Sequence, residues 1–136
     1  GSVSPPSFVD FSLMKKIESK IIKPTILGLQ KENIDYNGFI FFGLINVNGE
    51  PQVIEYNARL GDPETQSVLP RITSDFLNLL ISTKDEIEFK NAEIIENELT
   101  CISTILASNG YPEKYSTGFQ VSGLKTTSKE TILFRI

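Results

Sequence analysis

The sequence predicts an α+β fold, in which helices cover an antiparallel sheet. Apolar residues recur at helical spacing over about residues 11–31. Two strand-like segments follow over residues 39–56, joined by the turn signal Asn48-Gly49. The chain has 136 residues, 40% of them hydrophobic and 22% charged, which suffices for one modest domain with its own core.

The first expected element is a long helix. Residues 1–10 are rich in serine and proline and are expected to form a loop, from which Asp10 or Ser12 can cap the helix. Pro24 should kink or divide the helix, because proline has no N–H to donate. The apolar positions of the helix are Met14, Ile17, Ile21, Ile22, Ile26 and Leu29.

A β-hairpin is expected next. Residues 39–47, FIFFGLINV, form a continuous apolar run that is typical of a buried strand. Asn48 and Gly49 both tolerate positive φ, which predicts a tight turn into a second strand from Gln52 to about Tyr56. The segment from Asn57 to Glu64 contains glycine and proline and should leave the sheet as a loop.

Short helices are expected after this loop. A helical segment around Thr65–Leu69 should stop at Pro70. Ser74-Asp75 should cap another helix that continues to about Ile81.

The remaining third of the chain gives weaker signals. Residues 83–97 are charged and are expected at the surface, and residues 100–107, TCISTILA, are typical of a strand that packs Cys101 into the core. Residues 109–112, Asn-Gly-Tyr-Pro, predict a turn. The tail to Ile136 contains short strand-like pieces and ends on the apolar run ILFRI, as a chain cut inside a domain would.

Composition excludes several classes of function. The chain has no histidine, so it cannot itself supply a Ser–His–Asp triad, a Cys–His pair or a histidine-ligated zinc site. A net charge of −4 disfavours nucleic acid or an anionic membrane as the partner. No apolar run is long enough to span a bilayer, the start GSVSPPSF is not a secretory signal, and the single cysteine fits a cytoplasmic protein.

Three polar residues mark the end of the second strand. Because side chains alternate along a strand, Glu55, Asn57 and Arg59 should project to the same side. Carboxylate and amide oxygens are ligands that Mg²⁺ prefers, and an arginine binds phosphate or carboxylate through its planar fork. The pattern is thus compatible with phosphoryl transfer. Alternating polar residues are also typical of a solvated sheet face, and spacing alone favours that interpretation. The lysines of the first helix are interpreted as a solvated helix face: Lys15, Lys16, Lys20 and Lys23.

The segment that contains these residues carries a family resemblance. Residues 54–72 closely resemble the signature of glycinamide ribonucleotide synthetase, also called phosphoribosylamine–glycine ligase, an ATP-grasp enzyme. The E-x-N-x-R pattern is similar to that of ATP-grasp enzymes in general, whereas the GDPE run and Pro70-Arg71 are more specific. Resemblance covers about residues 1–124, through the segments KPTILGL, YNGFIFFGL, NGEPQVIEYN, LASNGYPEKYSTG and VSGL.

The resemblance implies a reaction and roles for five residues. ATP phosphorylates the carboxylate of glycine, and the amine of 5-phosphoribosylamine attacks the acyl phosphate, in purine biosynthesis. Glu55 and Asn57 are then the ligands of Mg²⁺ or Mn²⁺, and Arg59 stabilises the transferred phosphoryl group. Asp62 and Glu64 shape the amine or glycine site, or alternatively cap the next helix through a carboxylate.

The resemblance also implies that the chain is partial. Residues 1–97 correspond to the carboxy-terminal part of the ATP-grasp domain, and residues 98–136 begin the following domain. The family's amino-terminal domain and the nucleotide-binding lysines would precede Gly1. Because catalysis by positioning requires both halves of the grasp, we expect no ligase activity and weak nucleotide affinity from the chain alone.

Two alternatives remain. The chain can belong to another ATP-grasp carboxylate–amine ligase, which competition between glycine and other acids would reveal. It can also be a non-catalytic binding module that keeps the fold. In that case Glu55→Ala and Asn57→Ala would leave partner binding intact, whereas a metal site would lose Mn²⁺ affinity.

Overall fold

The computed structural model describes residues 1–124 and 128–134 and confirms an α+β fold. Residues 1–103 form one compact unit, and residues 104–136 group separately. A π-helical segment, Glu18–Ile22, joins the first two helices, and a 3₁₀ turn, Leu69–Arg71, follows the third. The strands and α-helices are, in chain order, β1 Ser2–Ser4, α1 Phe11–Ile17, α2 Lys23–Lys31, β2 Phe41–Val47, β3 Glu50–Asn57, α3 Thr65–Val68, α4 Phe76–Ser82, α5 Glu86–Asn91 and β4 Cys101–Ser103.

The long first helix is capped and divided as predicted. The Asp10 carboxylate accepts the N–H of Leu13 at 2.8 Å, which satisfies one of the free amides of the first turn of α1. Just before Pro24 the helix widens, and the N–H of Lys23 bonds to the carbonyl of Glu18, five residues back. Because Pro24 cannot donate and its ring crowds the preceding turn, one wide turn accommodates it and separates α1 from α2.

The predicted hairpin of β2 and β3 is confirmed. Asn48 and Gly49 have φ of 53° and 82°, which fits a tight turn whose twist matches the strands. The ladder pairs Gly43 with Glu55 but Leu44 with Val53, so Ile54 is an unpaired bulge residue. A single glycine inside an apolar strand is a known signal of such a bulge, although the sequence did not lead us to predict it.

The prediction of a loop over residues 1–10 is wrong at its start. β1 pairs antiparallel with β4, with Val3 opposite Ile102. Local sequence gave no sign of β1, because its partner comes from the other end of the first unit. The strand predicted over residues 100–107 is shorter than expected, since β1 offers only three residues for pairing.

The downstream helices largely agree with prediction. α3 ends at Val68 and Pro70 lies in the 3₁₀ turn, while Asp75 caps α4 by accepting the N–H of Asn78 at 2.9 Å. Residues 83–97 are mostly exposed, as expected, but they contain α5, which we did not predict because its residues show no apolar periodicity.

The second unit contains turns rather than strands in its described part. The predicted turn at residues 109–112 is present. No strand occurs in residues 104–124 or 128–134, so the expectation of strand-like pieces is wrong there. The last two residues of the predicted strand-like piece ILFRI lie outside the described residues. No helix in the described part is long and apolar enough to cross a membrane.

The described residues bury little apolar surface. Leu13 and Ile21 are the only hydrophobic side chains among them that are buried. Large apolar side chains are exposed on both the helices and the hairpin: Phe11, Leu27, Ile45, Ile54 and Tyr56. Exposed apolar surface of this extent is typical of faces that another part of a protein covers.

Candidate functional site

Glu55 and Asn57, the predicted metal ligands, lie side by side at the end of β3. The amide nitrogen Nδ2 of Asn57 donates a hydrogen bond of 2.8 Å to Oε1 of Glu55. Residues two apart on a strand share a face, so the two side chains project together as the alternation predicted. The structure thus brings a carboxylate and an amide to one exposed point at the edge of the hairpin.

Glu55 lies against a strand position that has no side chain. Its partner in the ladder is Gly43, and a Cβ placed on Gly43 would be 2.8 Å from Cγ of Glu55. The Glu55 side chain therefore leans over Gly43, and its Cγ occupies the space that a side chain at Gly43 would fill.

Arg59 lies in the predicted loop after β3, so the expectation that it projects to the same side as Glu55 and Asn57 through strand alternation is wrong. β3 ends at Asn57, whose partner Phe41 is the first residue of β2, so no ladder exists beyond this pair to keep Arg59 extended. Arg59 lies in the bend that follows, and its guanidinium donates to the carbonyl of Leu60 at 2.9 Å. The Arg59 side chain is exposed. Arg59 is close in sequence to Glu55 and Asn57, but strand alternation does not set the direction of its side chain.

The loop that carries Asp62 and Glu64 does not use them as helix caps. Asp62 accepts from the side chain of Gln66 at 3.1 Å, and Glu64 occupies the N-cap position of α3 without a side-chain capping bond. Backbone carbonyls serve the first turn instead, since Thr65 N–H bonds to Gly61 and Val68 N–H to Glu64. The capping alternative is therefore not what the structure shows.

The hydroxyl groups of Ser67 and Ser2 hold this loop to the first strand. Ser67 is 1% exposed, and its Oγ lies 2.8 Å from Oγ of Ser2 and donates to the carbonyl of Glu64. Ser2 Oγ also donates to the carbonyl of Pro63 at 3.0 Å. The conformation of the loop thus depends on β1, a relationship that no local pattern in the sequence indicated.

The sequence also gave no role for Arg71. Its side chain is 12% exposed and donates to Oγ of Ser4 at 3.1 Å and to the carbonyls of Leu99 and Asn97. It also pairs with Glu96 at 2.9 Å. The Pro70-Arg71 motif was the available signal, and the structure shows that its guanidinium is occupied by internal contacts.

The helix lysines lie at the surface, as predicted, with Lys16 half-buried, and each has a partner. Lys16 and Lys20 both donate to the carboxylate of Glu50, and these hydrogen bonds, Lys16 first, lower the pKa of Glu50 to about 2. Lys23 pairs with Glu18 and lowers the pKa of that carboxyl, chiefly through a hydrogen bond. Lys15 lies 4.6 Å from the centre of the Phe11 ring.

The donor set at Glu55 and Asn57 fits a hard divalent cation. Rotating the Asn57 amide by half a turn would present its oxygen beside the Glu55 carboxylate. In residues 1–124 and 128–134 no group of three or more His, Cys, Asp or Glu side chains could hold a metal. A two-ligand site suits Mg²⁺, which binds through one or two protein groups and completes its shell with phosphates and water.

Comparison with protein families and curated proteins identifies similar sequences. Residues 1–65 match the family model for the ATP-grasp (A) domain of phosphoribosylglycinamide synthetase. The chain is 39% identical, over 134 residues, to a phosphoribosylamine–glycine ligase of Caldanaerobacter subterraneus, covering 98% of this chain and 32% of the relative. It is 35% identical, over 139 residues, to a bifunctional purine biosynthetic protein of Pichia angusta, covering 98% of this chain and 17% of that protein.

A solved structure is also similar. The crystal structure of a phosphoribosylamine–glycine ligase from Thermotoga maritima superposes with a TM-score of 0.68 at 29% identity. The match covers 84% of this chain and 28% of that one. The chain thus spans about a third of the length of the phosphoribosylamine–glycine ligases that it matches, and 17% of the bifunctional protein.

Proposed function

The chain belongs to the phosphoribosylglycinamide synthetase family, and from this premise we propose that it forms part of a phosphoribosylamine–glycine ligase. In the proposed reaction the glycine carboxylate attacks the γ-phosphorus of ATP, giving glycyl phosphate and ADP. The amine of 5-phosphoribosylamine then attacks the acyl carbon and displaces phosphate, and the amine proton is lost. The product is glycinamide ribonucleotide, formed in the cytoplasm for purine synthesis.

The observation that carries this proposal is the convergence of Glu55 and Asn57, whose polar atoms are 2.8 Å apart. We assign these two residues as the protein ligands of Mg²⁺ or Mn²⁺. The ion, when bound, would neutralise charge on the ATP phosphates. The exposed position of the pair at the edge of the hairpin leaves the remaining coordination positions free for phosphate oxygens and water.

Arg59 is proposed to bind the transferred phosphoryl group. Its bond to Leu60 is exposed, so the guanidinium can exchange that carbonyl for a phosphate, which it binds more strongly. Asp62 and Glu64 are proposed to shape the glycine or amine site. Their carboxylates cap no helix, and Ser2 and Ser67 hold the loop that carries them.

Residues 1–97 are proposed as the carboxy-terminal part of the ATP-grasp domain, and residues 98–136 as the start of the next domain. The rest of the enzyme would be the partner of this chain. The exposed apolar side chains of the hairpin and the helices support this, because a complete domain would cover most of them.

Mn²⁺ titration of the purified chain, followed by electron paramagnetic resonance with and without ATP, tests the ion site. We expect Glu55→Gln and Asn57→Ala each to weaken binding by roughly 10-fold or more, in line with the loss of one ligand from a small set. Glu50→Gln is the matched control, because Glu50 lies on the same strand but is bound by Lys16 and Lys20. Equal affinities for Mn²⁺ in all three variants and the wild type would contradict the assignment.

A further inference from the structure

Gly43 faces the candidate metal ligand Glu55 across the ladder, and the space above it is filled by Glu55 itself. A Cβ on Gly43 would lie 2.8 Å from Glu55 Cγ, 3.5 Å from its carbonyl oxygen and 3.6 Å from its nitrogen. Carbon atoms in contact are normally about 3.5–4.0 Å apart, so the shortest of these distances requires a displacement. Cγ lies near the root of the side chain, and moving it moves the carboxylate.

Backbone conformation does not explain this glycine. The glycines with positive φ in the described part are Gly38, Gly49, Gly110, Gly118 and Gly123, and Gly43 is not among them. Any residue can therefore adopt the backbone of Gly43. What distinguishes the position is the room that it leaves, because all the remaining residues of β2 carry side chains.

The surrounding ladder limits how the hairpin can relieve a larger residue. On one side Phe42 pairs with Tyr56, and their rings meet edge to face at 5.4 Å between centroids. On the other side the bulge at Ile54 already shifts the register. Because the Phe42–Tyr56 pair holds one flank together, a Cβ at Gly43 should displace the Glu55 side chain before it displaces the strands.

We propose that Gly43 is a positioning residue of the divalent-ion site: its missing side chain leaves the space that Cγ of Glu55 occupies while the Glu55 carboxylate meets Asn57. This inference rests on the ion site of the proposed function. Gly43 touches no ion or substrate and acts only through Glu55. A side chain at this position would keep the ligand pair intact in sequence but separate it in space.

The first test is Mn²⁺ titration of the Gly43→Ala chain by electron paramagnetic resonance. We expect affinity to fall roughly 10-fold or more, as for other groups that orient a metal ligand. Gly28→Ala is the control, since nothing lies within 4 Å of a Cβ there, and it should bind Mn²⁺ as the wild type does. Affinity of Gly43→Ala within twofold of the wild type would overturn the proposal.

A double-mutant cycle tests the same contact when Gly43→Ala folds poorly. Glu55→Ala has no Cγ, so the added methyl at Gly43 should lower the urea midpoint in the wild-type background but not in the Glu55→Ala background. An equal loss in both backgrounds would overturn the proposal. Absence of Mn²⁺ binding by the wild-type chain would instead remove the ion site of the proposed function, and this inference with it.

Discussion

The guanidinium of Arg71 donates a 3.1 Å hydrogen bond to the hydroxyl of Ser4, and this bond joins the turn after α3 to the first strand. The same side chain reaches the carbonyls of Asn97 and Leu99 before β4. Three segments that are distant in sequence therefore meet at one cation. Since Ser2, on the same strand, bonds to the carbonyl of Pro63, Arg71 also stabilises the loop that carries Asp62 and Glu64.

Truncation of Arg71 should destabilise the first unit. Arg71→Ala leaves two carbonyls and the Ser4 hydroxyl without their charged donor in a part-buried place, and we expect a loss of about 1–3 kcal/mol in the free energy of unfolding. Arg71→Lys should retain only part of this stability, because one ammonium group cannot reproduce the several hydrogen bonds of the planar guanidinium. Urea unfolding measures both. Arg59→Ala, which removes an exposed guanidinium, should change stability by no more than about 0.5 kcal/mol, and an equal effect of the two alanine variants would contradict this role for Arg71.

Gly61 should resist substitution because a Cβ there would meet the side chains of two residues, whereas a Cβ on Gly43 would meet only Glu55. A Cβ on Gly61 would be 2.5 Å from Oε2 of Glu64 and 2.8 Å from the ring of Phe41. We expect Gly61→Ala to cost about 1–3 kcal/mol in the free energy of unfolding, as overpacking usually does. Adding Glu64→Ala should recover only part of the loss, since the Phe41 ring remains in place. Complete recovery in urea unfolding would show that the carboxylate alone makes the contact.

The ion pairs of Glu50 with Lys16 and Lys20 should make the stability of the fold depend on pH in the acidic range. Lys16 and Lys20 lower the pKa of Glu50 to about 2 from a reference of 4.5, so its ionised form is favoured by folding. This contribution is present above about pH 4.5 and is lost as the pH falls from there towards 2. We expect the wild-type Tm to fall more steeply than that of Glu50→Gln between those pH values at low salt. The three side chains are partly exposed, so salt can screen their interaction. In roughly 0.5 M NaCl the Debye length is about 4 Å, and the difference in slope between the wild type and Glu50→Gln should become smaller. Parallel curves at low salt would contradict the prediction.

Features set by a few consecutive residues were predictable from sequence. Asn48-Gly49 selects the tight turn through its tolerance of positive φ, and Asp10 caps α1 through a bond to a residue three positions on. The pairing of Glu55 with Asn57 also followed from local alternation. In each case the interacting groups are close in the chain, so their geometry follows from the backbone conformation alone.

Features set by distant residues were not predictable. β1 exists because β4 pairs with it, and nothing in the serine-rich sequence of β1 indicates that partner. Arg71 gave a motif but no role, because its partners Ser4 and Leu99 lie far away in the chain. The expected direction of Arg59 failed for a similar reason, since the length of β3 depends on where β2 begins.

The chain alone should not catalyse the proposed ligation. Glu55 and Asn57 are proposed to bind an ion with phosphates, but catalysis by positioning needs the second half of the grasp. This chain spans about a third of the phosphoribosylamine–glycine ligases that it matches. We therefore expect no glycine-dependent release of phosphate from ATP by residues 1–136. A polypeptide that joins these residues to the remaining parts of a family ligase should turn over ATP continuously only when both glycine and phosphoribosylamine are present, and Glu55→Gln should abolish this turnover. Equal turnover with other small carboxylic acids would indicate another carboxylate–amine ligase, because selectivity for glycine requires a site that excludes larger side chains.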